Sequence, residues 1–201
     1  MGPLTSRLSD YRAPYDLRIF EALNRLPQPA PWLAHLTSER LFGAVCIAAA
    51  FGAILVRYRR RAFPPLFVAG LALALTDLTG ARLLKPLFHR LRPCYALPAG
   101  SFHMWTAAAN QGAMPSLHAA NAFALAWVLS RTVRGSALPA YAVAALIAVN
   151  RVVGGVHWPS DILAGAAFGT AVGVLLTTAA RKLHSQMSQG GGHAPVAAST
   201  Q

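Results

Sequence analysis

Residues 150–161 read NRVVGGVHWPSD, and they combine three reactive side chains. His157 precedes a carboxylate, Asp161, by four residues, and Pro159 between them favours a helix start. A carboxylate so placed can hold an imidazole in one tautomer and stabilise its charged form, leaving the other ring nitrogen free to attack phosphorus. A second histidine, His118, closes the stretch PSLH at 115–118. It can protonate a departing oxygen and later activate water. Arg151, upstream of His157, is a fixed cation, and KPLFHRLRP at 85–93 supplies two more, Lys85 and Arg92. Arginine presents a planar fork to phosphate oxygens and lysine a point charge, so three converging cations suit a phosphoryl group. Ser116 is placed both to cap the helix that follows it and to touch the same anion.

These groups must be carried to one place, and the apolar segments supply the means. Five are marked: Leu41–Val56, Phe63–Leu84, Leu117–Ser130, Ala137–Asn150 and Ile162–Ala180. Hydrophobic residues make up 55% of the chain and charged residues 12%, where a soluble domain carries about 25% charge. Two segments reach spanning length only by taking in Pro115–Ser116 and Arg151–Val153, which sets polar groups into protein-lined mouths near the membrane surface. If the five segments cross in turn, the end of the second, the start of the third, the end of the fourth and the start of the fifth share one side. That side collects Lys85, Arg92, Ser116, His118, Arg151, His157 and Asp161. The predicted architecture is an all-α integral membrane bundle of about five transmembrane helices, with one domain over 1–184.

Further features frame this core. The stretch DLRIFEALNRLP at 16–27 predicts an interfacial amphipathic helix, with Ile19, Leu23 and Leu26 as its apolar face, Asp16 as N-cap and Pro27 as stop; a lid-like packing element fits equally. Gly165, Gly169 and Gly173 recur every four residues, a pattern that lets helices pack closely within one chain. The tail from Ser185 to Gln201 reads as disordered. Asp77, an acid inside an apolar run, is a functional position by default: it pairs with Arg82 or lines the floor of a pocket. His89, Arg90 and His103 read as solvated loop residues, with lining of the site entrance as the alternative. Trp105 and Trp158 read as interface anchors, with Trp158 also able to pack on His157.

The net charge of +12 comes from 18 Lys and Arg against six acids, but the basic residues fall between apolar runs and not in a stripe with aromatics. Nucleic-acid binding is therefore disfavoured. Cys46 and Cys94 give neither a disulfide framework nor metal spacing. Two-metal phosphatases need several carboxylates, whereas only Asp161 joins the cluster, and the three cations oppose a zinc ion on His118, His157 and Asp161. No metal and no cofactor is expected.

The order and spacing Lys85-x6-Arg92-Pro93, Pro115-Ser116-x-His118 and Arg151-x5-His157-x3-Asp161 resembles the type 2 phosphatidic acid phosphatase superfamily, which includes the vanadium haloperoxidases. The resemblance covers about Asp77 to Gly173. It implies that His157 is the nucleophile that forms a phosphohistidine, that Asp161 orients it and that His118 is the general acid. It further implies that Lys85, Arg92, Ser116 and Arg151 bind the phosphate. Two positions depart from the family pattern: Leu117 stands where Gly is common, and Asn150 where Ser is common. Both touch substrate fit and neither removes a reacting group.

The expected function is a membrane lipid phosphatase. Resemblance to small bacterial members points to undecaprenyl diphosphate, with phosphatidic acid and phosphatidylglycerophosphate as competitors. A lipid phosphotransferase and a non-enzymatic lipid-phosphate transporter are the readings from other classes. A soluble haloperoxidase would have no need of the apolar spans. Arg57, Arg59, Arg60, Arg61, Arg131, Arg134, Arg181 and Lys182 all fall opposite the site, and short basic loops prefer the cytoplasm. The site is thus expected on the outer face of a bacterial inner membrane, although Arg7, Arg12, Arg18, Arg25 and Arg40 lie on the active side. Oligomeric state is not legible.

Overall fold

Apolar stretches punctuated by Pro, Gly and clustered Arg give a chain built from helices, and a computed structural model describes residues 15–190, with side chains through Ser188. The principal helices are α1 (Asp16–Asn24), α2 (Ala30–Ser38), α3 (Arg40–Tyr58), α4 (Phe63–Thr79), α5 (Leu117–Thr132), α6 (Ala137–Val153) and α7 (Pro159–Gly190). Three helical stretches are long and apolar enough to cross a membrane: Arg40–Arg61, Phe63–Phe88 and Pro159–Ser188. Helix α6 is a shorter apolar helix. Proline opens α4 and α7, where its missing N–H costs nothing. The protein is an all-α integral membrane bundle.

Helix α5 lies at the centre, buried through Ala119, Ala120, Ala124, Leu125, Ala126 and Val128. On one side Ala50 and Ile54 of α3 and Ala69 and Ala72 of α4 pack against Ala124, Leu125 and Val128. On the other, α7 comes within backbone contact. A Cβ at Gly165 would strike the carbonyl of Ser116, and one at Gly169 the backbone of Ala120. The glycine repeat is thus an intramolecular packing face, as its spacing suggests. This close seam fixes the start of α7, with His157 and Asp161, against the start of α5, with Ser116 and His118.

Helix α4 continues past Thr79 through a π-helical turn, Gly80–Leu84, and one further turn, Lys85–Phe88. In an unbroken α-helix Lys85 would sit about 80° round the axis from Asp77. The wider turn reduces that offset, and both residues line one cavity. His89, in the left-handed region at φ 46°, ends the helix and turns the chain back.

Two expectations are corrected here, and a third gains detail. Helix α1 keeps Ile19 and Leu26, of its expected interfacial face, exposed and turns Asp16, Phe20 and Asn24 inward. Phe20 packs at 5.3 Å against the ring of Trp158, and Asn24 Nδ2 donates to the carbonyls of His103 and Val153. The helix therefore docks by a stripe of polar partners that hydropathy alone does not mark. Asp16 is not its N-cap, since its carboxylate is spent on Ser160 and Arg90. Finally, α7 runs to Gly190, so residues 185–190 are helical where the tail was expected to begin; Lys182, Ser185 and Gln186 form exposed turns of an already established helix. The remainder of that tail, 191–201, lies outside the described residues.

Candidate active site

Four segments meet around one buried histidine. His157 is 1% exposed and sits in the turn between α6 and α7. Its Nε2 lies 2.9 Å from Arg92 Nη1, and its Nδ1 lies 3.4 Å from Asp161 Oδ2. An arginine only donates, so Nε2 accepts and the ring proton sits on Nδ1, facing the carboxylate. The Nδ1 contact is long for a hydrogen bond, and Asp161 Oδ2 also accepts the N–H of Trp158 at 2.8 Å. The geometry leaves the Nε2 lone pair aimed at Arg92.

Besides Arg92, the charges of Arg151 and Lys85 act on His157. Arg92 also donates from Nη1 to the carbonyl of Val156 at 3.1 Å and from Nη2 to Asn110 Oδ1 at 3.1 Å. Lys85 Nζ donates to the carbonyl of Gly112 at 2.9 Å and reaches Asn110 Oδ1 at 3.4 Å. Arg151 Nη1 donates to Ser38 Oγ of α2 at 2.5 Å. Three buried donors of this group, Arg92 Nε, Arg151 Nε and Ser116 Oγ, have no protein partner, which suits an incoming oxyanion. The Ser116 N–H is taken by the carbonyl of Asp161 at 3.0 Å, so Ser116 joins α5 to α7 through its backbone. His118 is exposed on the wall of the cavity that Lys85, Arg92 and His157 also line.

Electrostatics follow from burial. His157 is held well below the ordinary histidine range, first by burial and then by Arg92, Arg151, Lys85 and His118 around it. It is a neutral base at physiological pH. Burial likewise lowers the pKa of Arg92. For Asp16, burial alone would raise the pKa, but hydrogen bonds from Ser160 and the Arg90 guanidinium outweigh it and the net shift is downward.

All seven residues named from the sequence lie at this site, and the structure adds others. Arg90, expected in solvent, is 2% exposed. Its Nη1 donates to Asp161 Oδ1 at 2.7 Å and to Ser160 Oγ at 2.6 Å, and its Nη2 donates to Asp16 Oδ2 at 2.5 Å. It also lies over the ring of Trp158. Trp158 is buried, with its indole N–H on the carbonyl of Leu91, and is not an interface anchor. Asp77 meets Asn121 and not Arg82. Asn110 and Ser38 carried no sequence signal, because single polar residues in loops and short helices are common.

Both departures from the family pattern find a structural account. Leu117 leans into the space above Gly80, where a Cβ would collide with its Cδ2. Asn150 is buried and donates from Nδ2 to Thr37 Oγ1 at 3.2 Å, tying α6 to α2. The substitution thus belongs with Arg151–Ser38 in docking α2 beside the site. Among the described residues no group of three His, Cys, Asp or Glu side chains is arranged to hold a metal ion.

The cavity, about 370 Å³, descends from Lys85, Arg92, His118 and His157 past Asp77 and Asn121 to Leu73, Leu125, Cys46 and Ile147. A cationic mouth over an apolar floor, inside a membrane bundle, defines a membrane protein with a site for an amphiphilic anion. Residues 65–185 match the model of the PAP2 superfamily, and the chain belongs to that family. The decaprenylphosphoryl-5-phosphoribose phosphatase of Mycobacterium tuberculosis is 37% identical over 139 residues, 67% of this chain and 73% of the relative. The structure resembles Aquifex aeolicus LpxE with a TM-score of 0.65 at 24% identity, covering 85% of this chain and 98% of that one. A phosphatidylglycerolphosphate phosphatase of the transmembrane PAP2 type from Bacillus subtilis aligns with a TM-score of 0.57 at 21% identity, over 89% and 93% of the two chains. The protein is a membrane phosphatase acting on phosphoric esters.

Proposed function

We propose that this protein removes a terminal phosphate from a polyisoprenoid-linked headgroup through a phosphohistidine on His157. The observation that carries the reading is the Nδ1-protonated His157 with its Nε2 lone pair on Arg92, and with the charges of Arg151 and Lys85 also acting on the ring. An arriving phosphomonoester takes over the Arg92 donor, and Nε2 attacks phosphorus in line with the ester oxygen. Lys85, Arg92, Arg151 and Ser116 hold the three equatorial oxygens, whose charge such donors stabilise. The P–O bond breaks as the P–N bond forms. Desolvation by burial, and then Arg151, Arg92 and Lys85, hold the pKa of His118 down to about 4 at rest. Once the bound anion offsets those cations, His118 takes a proton from solvent and passes it to the departing oxygen. Neutral again as a base, His118 then takes a proton from water, whose oxygen displaces His157 and yields inorganic phosphate. Asp161 keeps the imidazole oriented and offsets its charge while phosphorus is bound. No metal takes part.

The polyisoprenoid phosphosugar class follows the relative that is 37% identical, whose substrate by name is decaprenylphosphoryl-5-phosphoribose. Undecaprenyl diphosphate, the expectation from sequence, has no such support and serves as a comparison substrate. The basic residues opposite the site, including Arg59–Arg61 and Arg131, favour an outer-face active site in an inner membrane. The test is phosphate release by purified protein in detergent with EDTA, from polyprenylphosphoryl-phosphoribose, undecaprenyl diphosphate, phosphatidic acid and phosphatidylglycerophosphate. Release that survives EDTA and is lost in His157→Ala is expected. Release that requires added metal, or that persists in His157→Ala, overturns the mechanism.

A further inference from the structure

Asp77 and Asn121 form a polar station inside the cavity that the hydrolytic step leaves unused. Asp77 lies in an apolar run of α4, where a carboxylate is costly unless it works. It is exposed to the cavity, and its Oδ1 accepts from Asn121 Nδ2 at 3.2 Å. Asn121 is in turn fixed by Thr76, whose hydroxyl donates to its Oδ1. With one amide proton and one carboxylate oxygen so used, the pair presents a free carboxylate oxygen and a free N–H to the cavity. An acceptor beside a donor is the complement of a hydroxyl, which is both.

Position gives the pair its meaning. On α5, Asn121 follows His118 by three residues, so it lies about 4.5 Å deeper along the helix axis. Leu125 lies a further turn down, and beyond it the cavity shares Cys46, Ala122, Leu125 and Ile147 with an apolar cleft. That cleft runs between α3, α5 and α6 to Ser136 and Pro139. A lipid whose phosphate meets His118 therefore presents to Asp77 and Asn121 the atoms immediately next to its ester oxygen. Its hydrocarbon passes into the cleft.

We infer that Asp77 and Asn121 are specificity-determining residues that read hydroxyl groups on the carbon frame bearing the scissile phosphate. The proposal rests on the phosphatase reading above and narrows its substrate class to lipids phosphorylated on a sugar or polyol carbon. A diphosphate sets its second anion beside the Asp77 carboxylate, and like charges in a low-dielectric cavity repel. Phosphatidic acid and polyprenyl phosphates offer no hydroxyl there and leave the pair unmatched. A site built to hydrogen-bond a hydroxyl discriminates strongly against the analogue that lacks it.

The test compares kcat/KM for phosphate release from polyprenylphosphoryl-phosphoribose and from its 2,3-dideoxyribose counterpart in detergent. The wild type is expected to prefer the hydroxylated lipid by about tenfold or more. That ratio is expected to collapse towards one in Asp77→Ala and to fall in Asn121→Ala, with a matching fall in the preference for phosphatidylglycerophosphate over phosphatidic acid. Equal rates on the two ribose lipids in the wild type overturn the proposal without any variant. An unchanged ratio in folded Asp77→Ala overturns it as well. Failure of the wild type to release phosphate from any lipid refutes the phosphatase reading instead, so the two failures are distinct.

Discussion

Asp16 and Asp161 are held by the two ends of one guanidinium. Arg90 Nη2 meets Asp16 Oδ2 at 2.5 Å and Nη1 meets Asp161 Oδ1 at 2.7 Å, with all three groups buried. The first described helix is thereby joined to the carboxylate that faces His157. Stranding one member of a buried ion set costs about 3–5 kcal/mol. Asp16→Ala is expected to destabilise the protein by that order and to lower kcat, because Arg90 then has Asp161 alone. Arg90→Leu is expected to cost more, since two carboxylates lose their cation. Thermal unfolding in detergent beside kcat checks both, and an unaltered melting temperature for Asp16→Ala would refute the structural role.

The two histidines are expected to fail differently. On the proposed mechanism His157→Ala removes the attacking atom and should cut kcat by about a thousandfold or more. His118→Ala removes the proton donor, worth roughly 10²–10⁴-fold for an alkoxide leaving group. With p-nitrophenyl phosphate, whose leaving group needs no proton, the His118→Ala loss in the first step should shrink and a burst of p-nitrophenol should precede slow turnover. Equal losses on both substrates, with no burst, would remove His118 from the acid role.

The pH profile follows from the downward shift of His157. The proposed attack needs the neutral ring, so the acid limb of kcat/KM is expected well below the ordinary histidine value of about 6.5. Arg92 is the largest charge lowering that value after burial, so Arg92→Gln should move the limb to higher pH besides weakening substrate. Stability carries the same sign. Between the depressed folded value and about 6.5 the unfolded chain binds a proton that the folded one refuses, so stability falls as pH drops through that window and His157→Gln should flatten the fall. An acid limb at or above 6.5 in the wild type contradicts this account.

Gly80 and Leu117 are expected to be coupled. A Cβ at position 80 collides with Leu117 Cδ2, so Gly80→Ala should destabilise by about 1–3 kcal/mol through overpacking. Leu117→Ala in the same chain should recover much of that loss. Melting temperatures of the two single variants and the double variant give the coupling, and strict additivity would show that the contact is not tight.

The placement of the reactive side chains was more legible than the architecture that supports them. His157, Asp161, His118 and the cations were readable because their residue types repeat a reactive pattern at fixed spacings, and because alternating spans put them on one side. The apolar runs likewise announced the helices, since burial in lipid demands long unbroken hydrophobicity. Arg90 was not readable: it stands next to His89 in a basic loop, and only the distant Asp16 makes it a buried bridge. The docking face of α1 was not readable for a related reason. Hydropathy marks Ile19 and Leu26, which stay exposed, whereas Asp16 and Asn24 bury because Ser160, Arg90, His103 and Val153 supply their hydrogen bonds. Asp77 was recognisable as costly, yet its partner on another helix was not, because helix-to-helix register is a property of packing.

Arg92 in its resting position closes off the only lone pair of His157, at 2.9 Å. On the proposed mechanism the nucleophile is therefore under guard until a dianion arrives to draw the guanidinium aside. A neutral electrophile of the same shape, such as a carboxylic ester, has no means of lifting that guard. Chemical selectivity is thus exercised before any bond is strained, by the requirement that a substrate carry enough negative charge to unlock the base that will attack it.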